Sequence, residues 1–87
     1  MNNKISVYRK AKFVVVSIGE PKRDDFFNND FRDITFVEVG TSKIFPSVLL
    51  DMHYERLQKK LERGNIVELD YDVNTNWIRS IDRKRWN

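Results

Sequence analysis

Apolar and polar residues alternate along several stretches of the chain, with the spacing of two that is typical of β-strands with one buried face. The clearest stretch covers residues 66–73, where Val67, Leu69, Tyr71 and Val73 alternate with acidic residues and are expected to face the core. Other alternating or β-branched stretches cover residues 5–8 with 13–18, 32–39, 43–45 and 77–81. The pattern predicts five strands, of which the first is long or broken.

Turn-forming residues separate these stretches. Gly19 and Pro21 are expected to end the first strand, and the polar residues 20–30 then predict a loop. Pro46 is expected to stop the third strand early, because proline cannot donate a ladder hydrogen bond. Residues 40–42 and 74–76 predict short turns.

A helix is predicted between the third and fourth strands. The residues that share its apolar spacing are Leu50, Tyr54, Leu57 and Leu61. Ser47 or Asp51 is expected to cap its first turn. Gly64 is expected just after its end, in the left-handed conformation. The fold class is therefore mainly β (α+β), with one helix.

Length and composition limit the function. The 87 residues allow one domain, residues 1–87. No cysteine is present, which excludes disulfides, thiolate metal sites and cysteine nucleophiles. The single histidine, His53, excludes a two-histidine metal site, and the three glycines are too scattered for a phosphate-binding loop. We therefore expect a binding protein rather than an enzyme, with no catalytic residue, no metal and no cofactor.

Hydrophobicity predicts a soluble, cytoplasmic protein without a membrane partner. The longest apolar run has four residues, 13–16, whereas a membrane-spanning helix needs about 20. The basic residues near the start are not followed by the apolar segment of a secretory signal.

Charge is unevenly distributed. Residues 1–12 carry +4 and residues 77–87 carry +3, whereas the residues between them carry −4. Aromatic residues are interleaved with both basic segments, for example Phe13 after Lys12 and Trp77 before Arg79. Cations for the phosphates and aromatic faces for the bases are the combination that holds single-stranded nucleic acid.

The predicted order of elements is strand, strand, strand, helix, strand, strand. The helix is followed by Gly64, a polar residue and the strand that begins at Ile66. This order resembles the oligonucleotide-binding (OB) fold, a small five-stranded barrel with one helix between strands three and four. The resemblance implies that the barrel brings both basic segments together. It also implies binding across strands two and three, between loops 19–31 and 74–76.

The candidate nucleic-acid-binding residues lie in the basic segments and in these two loops. They are Arg9, Lys10, Lys12, Lys22, Arg23, Phe26, Phe27, Phe31, Trp77, Arg79, Arg83, Lys84, Arg85 and Trp86. The three phenylalanines are expected to stack on bases or to fold back over the barrel end. Trp77 is expected in the core at the barrel end, with base stacking as the alternative.

The main hypothesis is a non-enzymatic protein that binds single-stranded DNA or RNA. It would be an accessory factor in the DNA replication of a phage or mobile element, with a polymerase or helicase as a possible protein partner. The alternative is a small module that binds or inhibits a replication or transcription enzyme. Its surface would be the acidic strand face of Glu68, Asp70 and Asp72, which is expected to be solvated. A small ribonuclease toxin is a third hypothesis.

Overall fold

A computed structural model describes residues 5–26 and 28–84 of the chain, and the structural statements below concern those residues. The strands are β1 (Tyr8–Ile18), β2 (Lys22–Asp24), β3 (Asn29–Glu38), β4 (Ile44–Leu50), β5 (Ile66–Asp72) and β6 (Ile78–Lys84). A short helix, α1 (Asp51–Leu57), follows β4 directly. The predictions of a mainly β chain and of a helix before the Ile66 strand are confirmed.

The six strands form one antiparallel sheet. The order is β2-β3-β1-β5-β6, and β4 pairs with the other edge of β3. Ile18 pairs with Ile34 and Lys22 with Phe31, so β2 continues along the edge of β3 that β1 occupies. Part of the predicted loop 20–30 is therefore strand. The described pairings do not join β4 to β6, and the sheet stays open between these two edge strands.

The prediction that Pro46 stops the third strand is wrong, because β4 runs through it to Leu50. Glu38 N–H donates to Lys43 O at 2.8 Å. Hydrogen-bonded and non-hydrogen-bonded pairs alternate along an antiparallel ladder. Pro46, which pairs with Thr35, therefore occupies a position whose nitrogen faces away from β3. Its missing N–H removes no hydrogen bond from the ladder.

The helix is shorter than its apolar stripe predicts. It ends at Leu57, and Leu61 lies in the turn that follows, where its side chain is buried. Both predicted caps are wrong: Ser47 lies within β4, and Asp51 is the first helical residue, with its carboxylate 2.6 Å from Arg32 Nε. Gly64 has a left-handed φ of +91°, as expected, but in a turn beyond the helix end.

The core lies on one face of the sheet, which we call the inner face. Its buried apolar residues are Phe13, Val15, Ile34, Phe36, Phe45, Leu61, Val67, Leu69, Tyr71 and Ile81. Aromatic rings dominate its centre. Phe45 meets Phe13 and Tyr71 edge to face, with ring centroids 5.2 and 4.9 Å apart. Such contacts add stabilisation beyond the buried apolar area. Tyr71 is a core residue, as predicted.

Candidate nucleic-acid interface

The described parts of the two basic segments, residues 5–12 and 77–84, lie on either side of β5. β1 pairs with one edge of β5 and β6 with the other, so the segments are near each other but not adjacent. On the outer face, opposite the core, Tyr8 pairs with Asp72 and Lys10 with Asp70. The acidic strand therefore separates the cations of β1 from those of β6.

Alternation along β1 places Tyr8, Lys10 and Lys12 together on the outer face. All three are exposed. Within the described part of the chain, neither Lys10 nor Lys12 forms an ion pair. Their ammonium groups are therefore available to an anion that approaches this face.

Arg79 reaches this group from the other side of β5. The β5–β6 register shifts between Asp70 and Tyr71, where Ser80 and Ile78 pair, and this irregularity leaves Arg79 without a direct cross-strand partner. Its guanidinium lies 2.7 Å from Asp70 Oδ2 and 3.8 Å from the centre of the Tyr8 ring. The hydrogen bond to Asp70 raises the pKa of Arg79, which keeps the guanidinium charged.

The prediction of a solvated acidic strand face is wrong for Asp70 and Asp72, whereas Glu68, which pairs with Lys12, is half-buried. Asp70 and Asp72 are each only 6% exposed. The reason is that β5 lies between two strands, with Tyr8 and Lys10 on one side and Arg79 reaching across from the other. An approaching ligand therefore meets the cations and rings, with the carboxylates beneath them.

Trp77 precedes β6 at the end of this face. Its carbonyl accepts the Asp72 N–H at 2.9 Å, which places it next to the Tyr8–Asp72 pair. The side chain is 74% exposed, so the expectation that it belongs to the core is wrong. The turn at residues 73–76 carries the chain past the end of the sheet before Trp77. We call Tyr8, Lys10, Lys12, Trp77 and Arg79 the outer-face cluster.

Arg9 points to the inner face instead. Its guanidinium donates to Glu38 Oε2 at 2.8 Å and to the Tyr71 hydroxyl at 2.7 Å. Glu38 is 6% exposed, and its hydrogen bond with Arg9 lowers its pKa. The same contacts raise the pKa of Arg9. Arg9 thus closes one end of the core and is not a free contact for phosphate.

The cations of the predicted binding loop are also neutralised within the chain. Lys22 Nζ lies 2.8 Å from Asp33, and the Arg23 guanidinium lies 3.5 Å from Asp30. Phe26 is 87% exposed in the turn after β2, whereas Phe31 is half-buried within β3. Among the described residues of this loop, the exposed ring is that of Phe26, with acidic residues around it.

Among the described residues, Arg83 does not join the outer-face cluster. Arg83 is exposed, but it pairs with the core residue Val67, so it lies toward the inner face. The Lys84 backbone pairs with Ile66. The Lys84 side chain and the residues Phe27, Arg85 and Trp86 lie outside what the structure describes.

The described residues bring no metal-binding group together: none of their histidines and acids form a cluster of three that could hold an ion. His53 lies on α1, with its Nδ1 2.9 Å from the Arg56 guanidinium. Among the helices in residues 5–26 and 28–84, none is long and apolar enough to cross a membrane.

Sequence reasoning missed two features. It did not find the contact between Tyr8 and Arg79, which are 71 positions apart in the chain, nor the inner-face group of Arg9, Glu38 and Tyr71. The spacing of Tyr8, Lys10 and Lys12 by two was a usable signal, because it places them on one strand face. Comparisons with protein-family models, curated proteins and solved structures found no match to the chain, so its function has to be argued from its own residues.

Proposed function

We propose that the chain binds single-stranded DNA or RNA through the outer-face cluster, without catalysing a reaction. The observation that carries this proposal is the position of two exposed aromatic rings at one end of the outer face. The charged guanidinium of Arg79 lies over the Tyr8 ring, and the Trp77 backbone is hydrogen-bonded to Asp72, which pairs with Tyr8. Exposed rings stack on bases of any identity, and nearby cations hold the phosphates.

The arrangement supports a path for the single-stranded nucleic acid across the outer face. Trp77 and Tyr8 lie at one end of the face, and Lys10 and Lys12 continue from Tyr8 along β1 at every second residue. Successive side chains on one face of a strand are about 7 Å apart, a spacing that a flexible single strand can follow. Bases would stack at Trp77 and Tyr8, and phosphates would follow the lysines.

An OB-like order of strands, in a sheet that stays open between β4 and β6, is part of the same proposal. With β2 counted as the continuation of β1, the elements follow the OB order, with α1 between the third and fourth strands. A closed barrel would require β4 and β6 to pair. The proposed binding face lies on β1, β5 and β6, so it does not depend on closure. It differs from the face across the second and third strands that the OB resemblance implies.

Binding to a labelled oligothymidylate at several salt concentrations tests the proposal. We expect affinity to fall steeply with salt, because phosphate contacts release counterions. Replacing Trp77 by alanine should cost about 1–3 kcal/mol of binding free energy, the usual contribution of one stacked base. Tryptophan fluorescence should be quenched by the oligonucleotide in the wild type. Affinity that stays weak even at low salt would contradict the proposal.

A charge-matched pair of double variants separates the site from the net charge. Changing Lys10 and Lys12 to glutamine should reduce the salt dependence by about one unit of slope for each phosphate contact that is lost. Changing Lys59 and Arg63 to glutamine lowers the net charge equally, but both are exposed residues beyond α1. Equal effects of the two double variants would mean that only the overall charge matters.

A second candidate is the protein-interaction module, in which the chain binds a replication enzyme such as a polymerase or helicase. The observation that favours it is that four of the candidate cations already have acidic partners. They are Arg9, Lys22, Arg23 and Arg79. A tagged chain that captures one partner in stoichiometric amount after nuclease treatment would support this function and a role in DNA replication.

A further inference from the structure

The two edges of the sheet differ in charge. β6 carries Arg79, Asp82 and Arg83, and charged side chains commonly protect an edge strand from pairing. β4 has no charged residue in its seven positions, Ile44–Leu50. Among the described residues it pairs only with β3, so its second edge has no strand beside it.

The backbone groups on this edge follow from the β3–β4 ladder. Because Glu38 N–H donates to Lys43 O, the alternation directs the backbone groups of Ile44, Pro46, Val48 and Leu50 away from β3. Ile44 and Val48 each offer an N–H and a C=O, and Pro46 offers only its C=O. Leu50 offers its N–H, because its C=O is at the N-cap of α1 and accepts the first helical hydrogen bond. This edge can form most of a ladder with another strand.

The side chains of the same residues are apolar and exposed on the outer face. Ile44 is 67% exposed and Val48 is 61% exposed. Val16 on β1 is 43% exposed on the neighbouring part of the sheet. A strand that paired with β4 would extend this apolar face and cover part of it.

We propose that β4 pairs antiparallel with β4 of a second copy of this chain, forming a two-fold symmetric dimer with its axis at Ser47. In this register Ile44 lies opposite Leu50 of the second copy, whose N–H donates to the Ile44 carbonyl. Pro46 lies opposite Val48, whose N–H donates to the Pro46 carbonyl. All four outer-face pairs are apolar.

Pro46 favours this register. An axis at Pro46 would place the two prolines opposite each other, with their carbonyls facing and no donor between them. An axis at Ser47 avoids that contact and gives each Pro46 carbonyl the Val48 N–H of the other copy. The flanking charges do not decide the register, because Asp51, which would lie opposite Lys43 of the second copy, is already paired with Arg32 at 2.6 Å within its own chain.

Sedimentation equilibrium over a wide concentration range tests the dimer, because it measures the mass of the protein in solution. We expect the wild type to move from one chain to two as concentration rises, and to stop at two. Val48→Pro should stay monomeric, because it removes the edge donor without removing a bond to β3. Val48→Thr, which keeps the N–H and suits a strand, should still dimerise. A wild type that stays monomeric, or a Val48→Pro variant that dimerises equally, would overturn the proposal.

If Val48→Pro does not fold, amide hydrogen exchange of the wild type at several protein concentrations still tests the proposal. The amides of Val48 and Leu50 should become more protected as concentration rises, whereas the edge amides of β6 should not change. Amides of β4 that are protected equally at every concentration would overturn the proposal, since that edge would then be covered within one chain. The dimer concerns β4 only, so its failure leaves the nucleic-acid proposal intact.

Discussion

Replacing Phe13 by alanine is expected to lower the free energy of unfolding by about 3–5 kcal/mol. Phe13 is completely buried, and its ring meets those of Phe36, Phe45 and Tyr71 at centroid distances of 6.3, 5.2 and 5.8 Å. Alanine would leave a cavity at the centre of this aromatic group. Small domains are stable by only about 5–15 kcal/mol, so this change would remove a large part of the total stability.

Urea unfolding followed by circular dichroism measures this loss. Phe26→Ala is the matched control, because the same side chain is removed from a position that is 87% exposed. Its effect should stay within about 0.5 kcal/mol. If the two variants lost similar stability, Phe13 would not be the centre of the core.

The strands with clear alternation were predictable from the sequence. The β5 stretch is an example, because Val67, Leu69 and Tyr71 face the core as their spacing indicates. Val73 shares the spacing but lies in the turn after β5 and is 42% exposed, so that part of the prediction is wrong. Periodicity shows which residues share a face, but it does not show what covers the opposite face. Asp70 was therefore expected in water, whereas the sheet order places it between two strands, where Arg79 covers it.

Local turn and helix signals were less reliable, because tertiary pairing overrides them. Pro46 is a strand breaker in general, yet it is accepted in β4, where its nitrogen faces away from β3. The apolar stripe that ends at Leu61 predicts a longer helix than α1, but Leu61 reaches the core from a turn. Contacts between residues distant in the chain, such as Tyr8 with Arg79, have no local signal at all.

Arg9 illustrates the same limit in the candidate site. It belongs to the most basic segment of the chain, so the sequence predicts a phosphate contact. The strand register places its side chain on the inner face, where its guanidinium donates hydrogen bonds to Glu38 and Tyr71. Its neighbours Lys10 and Ala11 show the alternation, because Lys10 is exposed on the outer face and Ala11 packs against the core.

Replacing Arg9 by methionine is expected to lower the melting temperature by several degrees at neutral pH. Methionine keeps the apolar stem but leaves the buried carboxylate of Glu38 without its cation, which is far more costly than losing a surface pair. Lys22→Met is the matched control. Both ion pairs measure 2.8 Å, but the side chain of Glu38 is 7% exposed and that of Asp33 is 50% exposed. Lys22→Met should change the melting temperature little, since exposed ion pairs contribute little to stability.

Measuring the melting temperatures of the wild type and of Arg9→Met at several pH values shows whether Glu38 causes the difference between them. In the wild type the hydrogen bond from Arg9 lowers the pKa of Glu38. That stabilisation is complete above the pKa of an unfolded glutamate, about 4.3, and is lost as pH falls through the lower folded value. In Arg9→Met, burial instead raises the pKa of Glu38. Protonation of Glu38 then removes a buried unpaired charge from the variant, whereas in the wild type it removes the ion pair with Arg9. The gap between their melting temperatures should therefore narrow on acidification. A gap that is equal at neutral and acidic pH would mean that Arg9 stabilises the fold by packing alone.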